Sequence, residues 1–189
     1  MGDERLKWDE RYSGEEYLLG VEPSSFLTEK IGLIKSLCPG RRALDIACGE
    51  GRNSIFLAQA GFAVTGLDIS RKGLDKAIRR MNEEGVQVDF QLADLESYEF
   101  FETYDLIINF NFLLRELIPK LVFALNPGGV IVFDTILDAP TLQGMHNRRF
   151  LLLPGELRAI FEGFAGKILY YEEKPLDMTP TAKLIFQKV

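Results

Sequence analysis

Asp45, Gly49, Gly51, Asn53 and Asp68 are the residues of this chain whose types and spacing suit chemistry. Ala43-Leu44-Asp45-Ile46-Ala47 is an apolar run interrupted by a single acid, which suits a buried parallel strand. Gly49 and Gly51 follow, and Asn53-Ser54-Ile55-Phe56-Leu57-Ala58 reads as the beginning of a helix. A tight strand-to-helix turn without Cβ atoms lets backbone approach a ligand closely and aims unpaired helix N–H groups at it. A second apolar stretch, Phe62 to Ser70, ends in Asp68, roughly 20 residues after the glycines. In a doubly wound sheet that carboxylate lies beside the first turn and accepts from both hydroxyls of a ribose. The pattern therefore points to a small, partly anionic ligand carrying a ribose. Two plainer readings remain open: a glycine pair is a common turn, and an acid at Asp68 also suits capping of a helix from Ser70. The dinucleotide fingerprint is not met, since its first and third glycines would fall at Ala47 and Ser54.

The elements that must position these residues alternate along the chain. Strands are predicted near 43–47, 62–67, 86–91, 104–109 and 129–135, with helices near 52–60, 71–84 and 112–125 between them. Such alternation implies parallel strands joined by crossover helices. Asn126-Pro127-Gly128-Gly129 reads as a turn before the fifth strand. A last helix near 155–163 leads to 167–172 and 182–187, two strand-like runs separated by a short Pro-containing link and expected to pair as an antiparallel hairpin. Before the first strand, Ser24 or Ser25 is expected to cap a helix from Phe26 to Leu37, and Cys38-Pro39-Gly40 stops it. Trp8 and Tyr12 are four apart, on one face of a helix-compatible segment.

Composition narrows the class. The chain has 189 residues, 47% hydrophobic and 26% charged, which is ordinary for one globular domain. A net charge of −6 and a pI near 5.0 argue against nucleic acid or an anionic membrane surface as a general partner. Cys38 and Cys48 make neither a disulfide framework nor a metal spacing. With no apolar signal region and no run of membrane-spanning length, a cytoplasmic protein is expected.

At this point the residues resemble a family. Asp45-Ile46-Ala47-Cys48-Gly49-Glu50-Gly51-Arg52-Asn53, then Gly66-Leu67-Asp68-Ile69-Ser70, then Ala93-Asp94-Leu95, are similar to the first three motifs of class I S-adenosylmethionine-dependent methyltransferases. The branch they most resemble is the small tellurite-resistance and thiopurine-methyltransferase-like enzymes, over nearly the whole chain from Trp8 onward. The resemblance implies an α/β fold: a Rossmann-like, doubly wound, seven-stranded sheet, mostly parallel with a C-terminal antiparallel hairpin, and helices on both faces. It implies S-adenosyl-L-methionine as cofactor and S-adenosyl-L-homocysteine as product. The cofactor-binding set it implies is Trp8, Tyr12, Asp45, Ala47, Gly49, Gly51, Asn53, Asp68, Ile69, Asp94, Leu95 and Asn109. In it Asp94 accepts from the adenine amino group, the Leu95 backbone reads the ring edge, Ile69 packs on the base, and Asp45 holds the ammonium of the methionine portion. Ala47 departs from the usual motif, which has glycine there; alanine is small enough that only a slight narrowing of the turn is expected.

Residues 1–189 are expected to form one such domain, with 1–25 as an N-terminal lid segment and 136–154 as an acceptor-side loop. No catalytic residue is certain; His146, Asn109 and Arg148 are the candidates. The fourth strand ends in Asn109-Phe110-Asn111-Phe112, not in the Pro-Pro-aromatic signature of enzymes that methylate base or amide nitrogens. The expected reaction is methyl transfer to a small-molecule or chalcogen acceptor, without nucleic acid or membrane, by a monomer or homodimer. A nicotinamide-dependent oxidoreductase and a non-catalytic S-adenosylmethionine-binding module are the alternatives.

Overall fold

A computed structural model of the chain describes residues 2–142 and 148–189. Among these, seven strands form a sheet in the order β3-β2-β1-β4-β5-β7-β6. The chain divides into two compact units, one comprising residues up to 36 with 41–100, the other 37–40 with 101–189.

The first unit carries β1 (Arg42–Ile46), β2 (Ala63–Asp68) and β3 (Val88–Leu92), all parallel, with Asp45 paired to Gly66 and Asp68 to Leu92. After the first residue every side chain of β1 is buried, Asp45 included, as expected of a mostly apolar strand covered on both faces. The crossovers are α3 (Arg52–Gln59) and α4 (Arg71–Glu83). Helix α4 is capped by Ser70, whose hydroxyl accepts from the Gly73 N–H at 3.1 Å. Its buried side is Gly73, Leu74, Lys76 and Ala77, an apolar stripe that includes one lysine. Ahead of β1 stand α1 (Gly2–Arg11) and α2 (Ser25–Leu37).

The second unit carries β4 (Tyr104–Phe110) and β5 (Leu125–Ile136) in parallel, then β7 (Thr181–Lys188) antiparallel to both β5 and β6 (Gly166–Lys174). All seven residues of β4 are buried. Two elements differ from expectation. The Asn126-Pro127-Gly128-Gly129 turn lies inside β5, where the pairing with β4 jumps between Tyr104 and Leu106. The helix expected over 112–125 is a 3₁₀ turn at Arg115–Leu117 followed by a short α5 (Ile118–Phe123). Pro119 stands in the first turn of α5, where its missing N–H is tolerated, but it lacks the N–H for continuing a helix that began earlier. Residues 109–112 are meanwhile held in a turn, with Asn109 Nδ2 donating to the Phe112 carbonyl at 2.7 Å.

Helix α6 (Glu156–Glu162) closes this unit through Phe161, fully buried, with ring centroids 5.5 Å from Phe133 and 5.2 Å from Phe186. Phe161→Ala should cost on the order of 3–5 kcal/mol of stability, measured by denaturant unfolding, because these rings leave a rigid cavity that cannot collapse.

Candidate functional site

The turn after β1 is built by hydrogen bonds from its neighbour strand. Cys48 N–H donates to the Leu67 carbonyl at 3.0 Å, and Gly49 N–H donates to Asp68 Oδ2 at 2.7 Å. The other Asp68 oxygen accepts from the Ser70 N–H at 2.8 Å. Asp68 thus ties the glycine turn and the start of α4 to the end of β2. Gly49 and Gly51 sit at φ of 55° and 77°, the left-handed region that glycine enters without penalty. Ala47 is there too, at φ 53°. The departure at Ala47 therefore produces backbone strain, of roughly 1–2 kcal/mol, rather than a narrowed turn.

Asp45 is buried and accepts from Ser54 Oγ at 2.5 Å, a bond that ties β1 to α3. Burial, partly offset by the Ser54 bond and reinforced by the nearby Asp68, pushes its carboxyl up to about 7. Asp68 is raised as well, again chiefly by burial, against the lowering effect of the N–H groups it receives. Asn53 is buried, and its Oδ1 accepts from the Ser24 N–H at 2.9 Å. Asp94 follows β3, with Oδ1 accepting from the Glu96 N–H at 3.1 Å, while Leu95 is buried and Ile69 half-buried.

Tyr12 lies over the turn. A Cβ built on Gly49 would stand 2.7 Å from the Tyr12 hydroxyl, and one on Gly73 would stand 3.1 Å from the Tyr12 ring. Trp8 stacks on Tyr12 with centroids 5.7 Å apart, and the Arg11 guanidinium lies 4.6 Å over Trp8. Burial, with Asp68 and Glu50 nearby, raises the Tyr12 hydroxyl and keeps it protonated as a donor.

Eleven of the expected residues, from Trp8 to Leu95, thus belong to the first unit. Asn109 and Arg148 belong to the second: Asn109 is buried within its own turn, and Arg148 is exposed, 3.8 Å from Asp138. His146 lies outside the described residues. A groove of about 430 Å³ between α6 and β6, lined in part by Arg158, Phe164, Tyr170 and Tyr171, contains none of the expected residues. It is an open surface groove whose Arg158 is engaged with Glu162, so the turn, with its convergent N–H groups and acids, is the better site.

Sequence reasoning missed Asp9, Glu50 and Lys76. Asp9 Oδ1 accepts from Ser70 Oγ at 2.6 Å and from the Lys72 N–H at 3.1 Å, anchoring α1 on the first turn of α4. Glu50 and Lys76 form a buried ion pair at 2.8 Å. The available signal was Lys76 itself, a cation between Leu74 and Ala77 on an apolar helix face.

Comparison with known proteins decides the class. Residues 43–129 match a family described as "Methyltransferase domain". A ubiquinone biosynthesis O-methyltransferase of Pseudomonas fluorescens is 30% identical over 178 residues, 81% of this chain and 75% of that protein. The chain belongs to the class I S-adenosylmethionine-dependent methyltransferases. TehB of Haemophilus influenzae, a probable S-adenosyl-L-methionine-dependent methyltransferase, is 31% identical over 84 residues, covering 43% of this chain and 29% of TehB. A TehB crystal structure superposes with a TM-score of 0.72 at 20% identity, over 98% of this chain and 67% of that one. Magnesium protoporphyrin IX methyltransferase from Synechocystis, solved with bound S-adenosylhomocysteine, gives 0.68 at 20% identity, covering 100% of this chain and 94% of that one. Several curated methyltransferase relatives are longer than this match: the chain spans 45% and 46% of two further ubiquinone biosynthesis O-methyltransferases. Among the described residues no helix is long and apolar enough to cross a membrane.

Two outcomes test this geometry. The folded chain holds the Asp45 proton more tightly than the unfolded chain, with a carboxyl near 7 against an ordinary 3.8. The Asp45 contribution to stability should therefore be fullest below about pH 4 and fall as pH rises to about 7, and the difference between wild type and Asp45→Asn in denaturant midpoints should change over that range. Gly49→Val should destabilise by at least about 1–2 kcal/mol from its left-handed backbone alone, with further loss from the collision with Tyr12, read by thermal unfolding.

Proposed function

We propose that the chain transfers a methyl group from S-adenosyl-L-methionine to a small-molecule or chalcogen acceptor, with the cofactor held by the turn after β1. The Asp68 carboxylate joining Gly49 and Ser70 carries this reading. A carboxylate offers about four acceptor positions, and the two N–H bonds leave capacity for both hydroxyls of a ribose. The residues thus fit the nucleoside that the family uses. Asp94 and Leu95 are assigned to the adenine, Ile69 to packing on it, and Gly49 and Gly51 to close backbone approach. Asp45 and Asn53 belong to the same set, although their side chains already hold Ser54 and Ser24.

When bound, the cofactor supplies a methyl group on a sulfonium, already activated for in-line displacement. The chain's own residues have then to align, enclose and keep water out. Orientation alone contributes about 7–11 kcal/mol to such a two-partner reaction. Trp8 and Tyr12 are the lid over the turn, with residues 1–25 as the lid segment. A dry site favours a reaction in which an anionic acceptor and a sulfonium neutralise each other. A general base is needed only for an acceptor that arrives protonated, and His146 is the candidate for it, with Arg148 the candidate for binding an anionic acceptor.

The loop 136–154 is proposed as the acceptor wall. Its described end is clamped by Arg115, which donates to Glu156 at 2.6 and 2.8 Å and to the carbonyls of Arg149 and Leu151 at 2.8 Å. Ubiquinone biosynthesis O-methyltransferases among the relatives favour an organic oxygen acceptor. Calorimetry with S-adenosylhomocysteine and NAD, followed by turnover on phenols, thiols and tellurite, tests the reading. Tight binding of NAD alone would replace it with the oxidoreductase alternative. Binding of S-adenosylhomocysteine without turnover on any acceptor would leave the binding module. Asp68→Asn should weaken S-adenosylhomocysteine by on the order of 1–3 kcal/mol, about 5- to 150-fold, through lost charge-assisted hydrogen bonds. Unchanged affinity in a folded variant would remove Asp68 from the ribose.

A further inference from the structure

Glu50 stands between the two glycines of the turn, yet its carboxylate binds outward. Oε1 accepts from Lys76 Nζ at 2.8 Å, and Oε2 accepts from the Leu18 N–H at 2.7 Å. Lys76, projecting from α4, also donates to the Glu16 carbonyl at 2.7 Å and lies 5.4 Å from the Tyr17 ring centroid. One buried ion pair, its side chains 8% and 5% exposed, therefore fastens three pieces of chain: the glycine turn, α4 and the segment 16–18.

That segment has little else to hold it. Tyr12 is buried and Tyr17 half-buried, but Ser13 to Glu16 and Leu18 to Val21 are exposed. Apolar burial is thus small from 13 to 21, and polar tethers to α3, α4 and the turn between β1 and α3 do the holding. They are the Glu50–Lys76 pair and Arg52 Nη1, which donates to the Leu19 and Glu22 carbonyls at 3.0 and 3.3 Å. A segment with few buried apolar contacts opens at a free energy set by such bonds. Tyr12 at its start covers Gly49, so the cofactor space at the turn is reached by lifting this strap.

We propose that Glu50 and Lys76 are positioning residues that latch the strap and Tyr12 over the cofactor, and that release of this latch sets the rate of cofactor exchange. The proposal rests on the cofactor site assigned above. A buried ion pair of this sort stabilises little more than packed apolar groups of the same volume would. It differs from them in being directional, since the three hydrogen bonds it makes to Leu18, Glu16 and its own partner specify where the strap lies. When one bond goes, the other charge is left buried, so the strap releases as a unit.

Stopped-flow binding of S-adenosylhomocysteine to the full chain tests this, with Lys76→Met and Glu50→Gln beside wild type. In folded variants both association and dissociation should speed up about tenfold or more, the effect of losing a charge-assisted hydrogen bond. Their ratio should hold within about a factor of three, because a gate that blocks both directions alike shifts no equilibrium. Lys76→Arg, which keeps the cation, should restore rates near wild type. Unchanged rates in folded Lys76→Met and Glu50→Gln would overturn the latch and leave the pair as scaffold. Failure of wild type to bind S-adenosylhomocysteine would instead overturn the cofactor site, and the latch with it. Should the buried variants not fold, Leu18→Pro decides the matter: at an exposed position it removes the strap's N–H to Glu50, with some stiffening of the backbone at 17 and 18, and leaves the Glu50–Lys76 pair whole, so the same acceleration supports the latch while its absence refutes it.

Discussion

The carboxylate of Asp68 receives the Gly49 N–H on one oxygen and the Ser70 N–H on the other, and the local backbone follows from those two bonds. The left-handed conformations at Ala47, Gly49 and Gly51 turn peptide N–H groups away from any regular ladder. A buried N–H with no acceptor costs about 1–3 kcal/mol, so the turn needs an acid at the tip of the adjoining strand before any ligand arrives. That acid must be taken out of water, and its raised carboxyl records the penalty. The same group that shapes the turn is therefore the one left with spare acceptor positions at its mouth. Helix capping and ribose binding, opposed as explanations of Asp68 in the sequence, are compatible in the structure because a carboxylate has room for both.

The turn also divides its labour between backbone and side chains. Gly49 and Gly51 leave backbone accessible, whereas Glu50, Arg52 and Asn53 point to the N-terminal segment, taking Leu18, Leu19, Glu22 and Ser24 through its main chain. Each of these bonds is to backbone, so the strap's own side chains are free to vary while its path is held. The identities of the residues between and after the glycines are thus constraints on the strap.

Much of the first unit was legible because its signals are local. A mostly apolar run such as Ala43 to Ile46, or Leu106 to Phe110, each with one polar residue, is buried as a strand. Ser70 is a cap because its hydroxyl reaches Gly73 three residues on, a contact written into adjacent sequence. Boundaries moved where two local preferences competed. Pro119 cut a helical pattern down to a 3₁₀ turn and a short α5, and a strong strand drew the Asn126 to Gly129 turn into β5. The amide oxygen of Asn53 meets the Ser24 N–H, 29 residues earlier, a contact that no adjacent pattern announces. Glu50 and Lys76, 26 apart, show the same limit: Lys76 stands out as a cation on an apolar helix face, but only the fold shows that Glu50 is its partner.

The acceptor side is the extreme of that limit. Arg115 gathers Arg149, Leu151 and Glu156 from 34 to 41 residues away, and its guanidinium holds the Glu156 carboxyl below the usual range. Glu156 in turn receives the Leu153 N–H, so one bidentate pair fixes the chain leading into α6. No short motif encodes such a clamp, because its members need only meet in space. The glycine turn can be read from adjacent residues, since the groups that shape it stand within a few positions of one another on two neighbouring strand ends. The acceptor half changes with each substrate and is assembled from distant loops, so a shared fold does not carry the substrate with it. The clamp that Arg115 makes is a contact of this second kind, built from residues far apart in the chain.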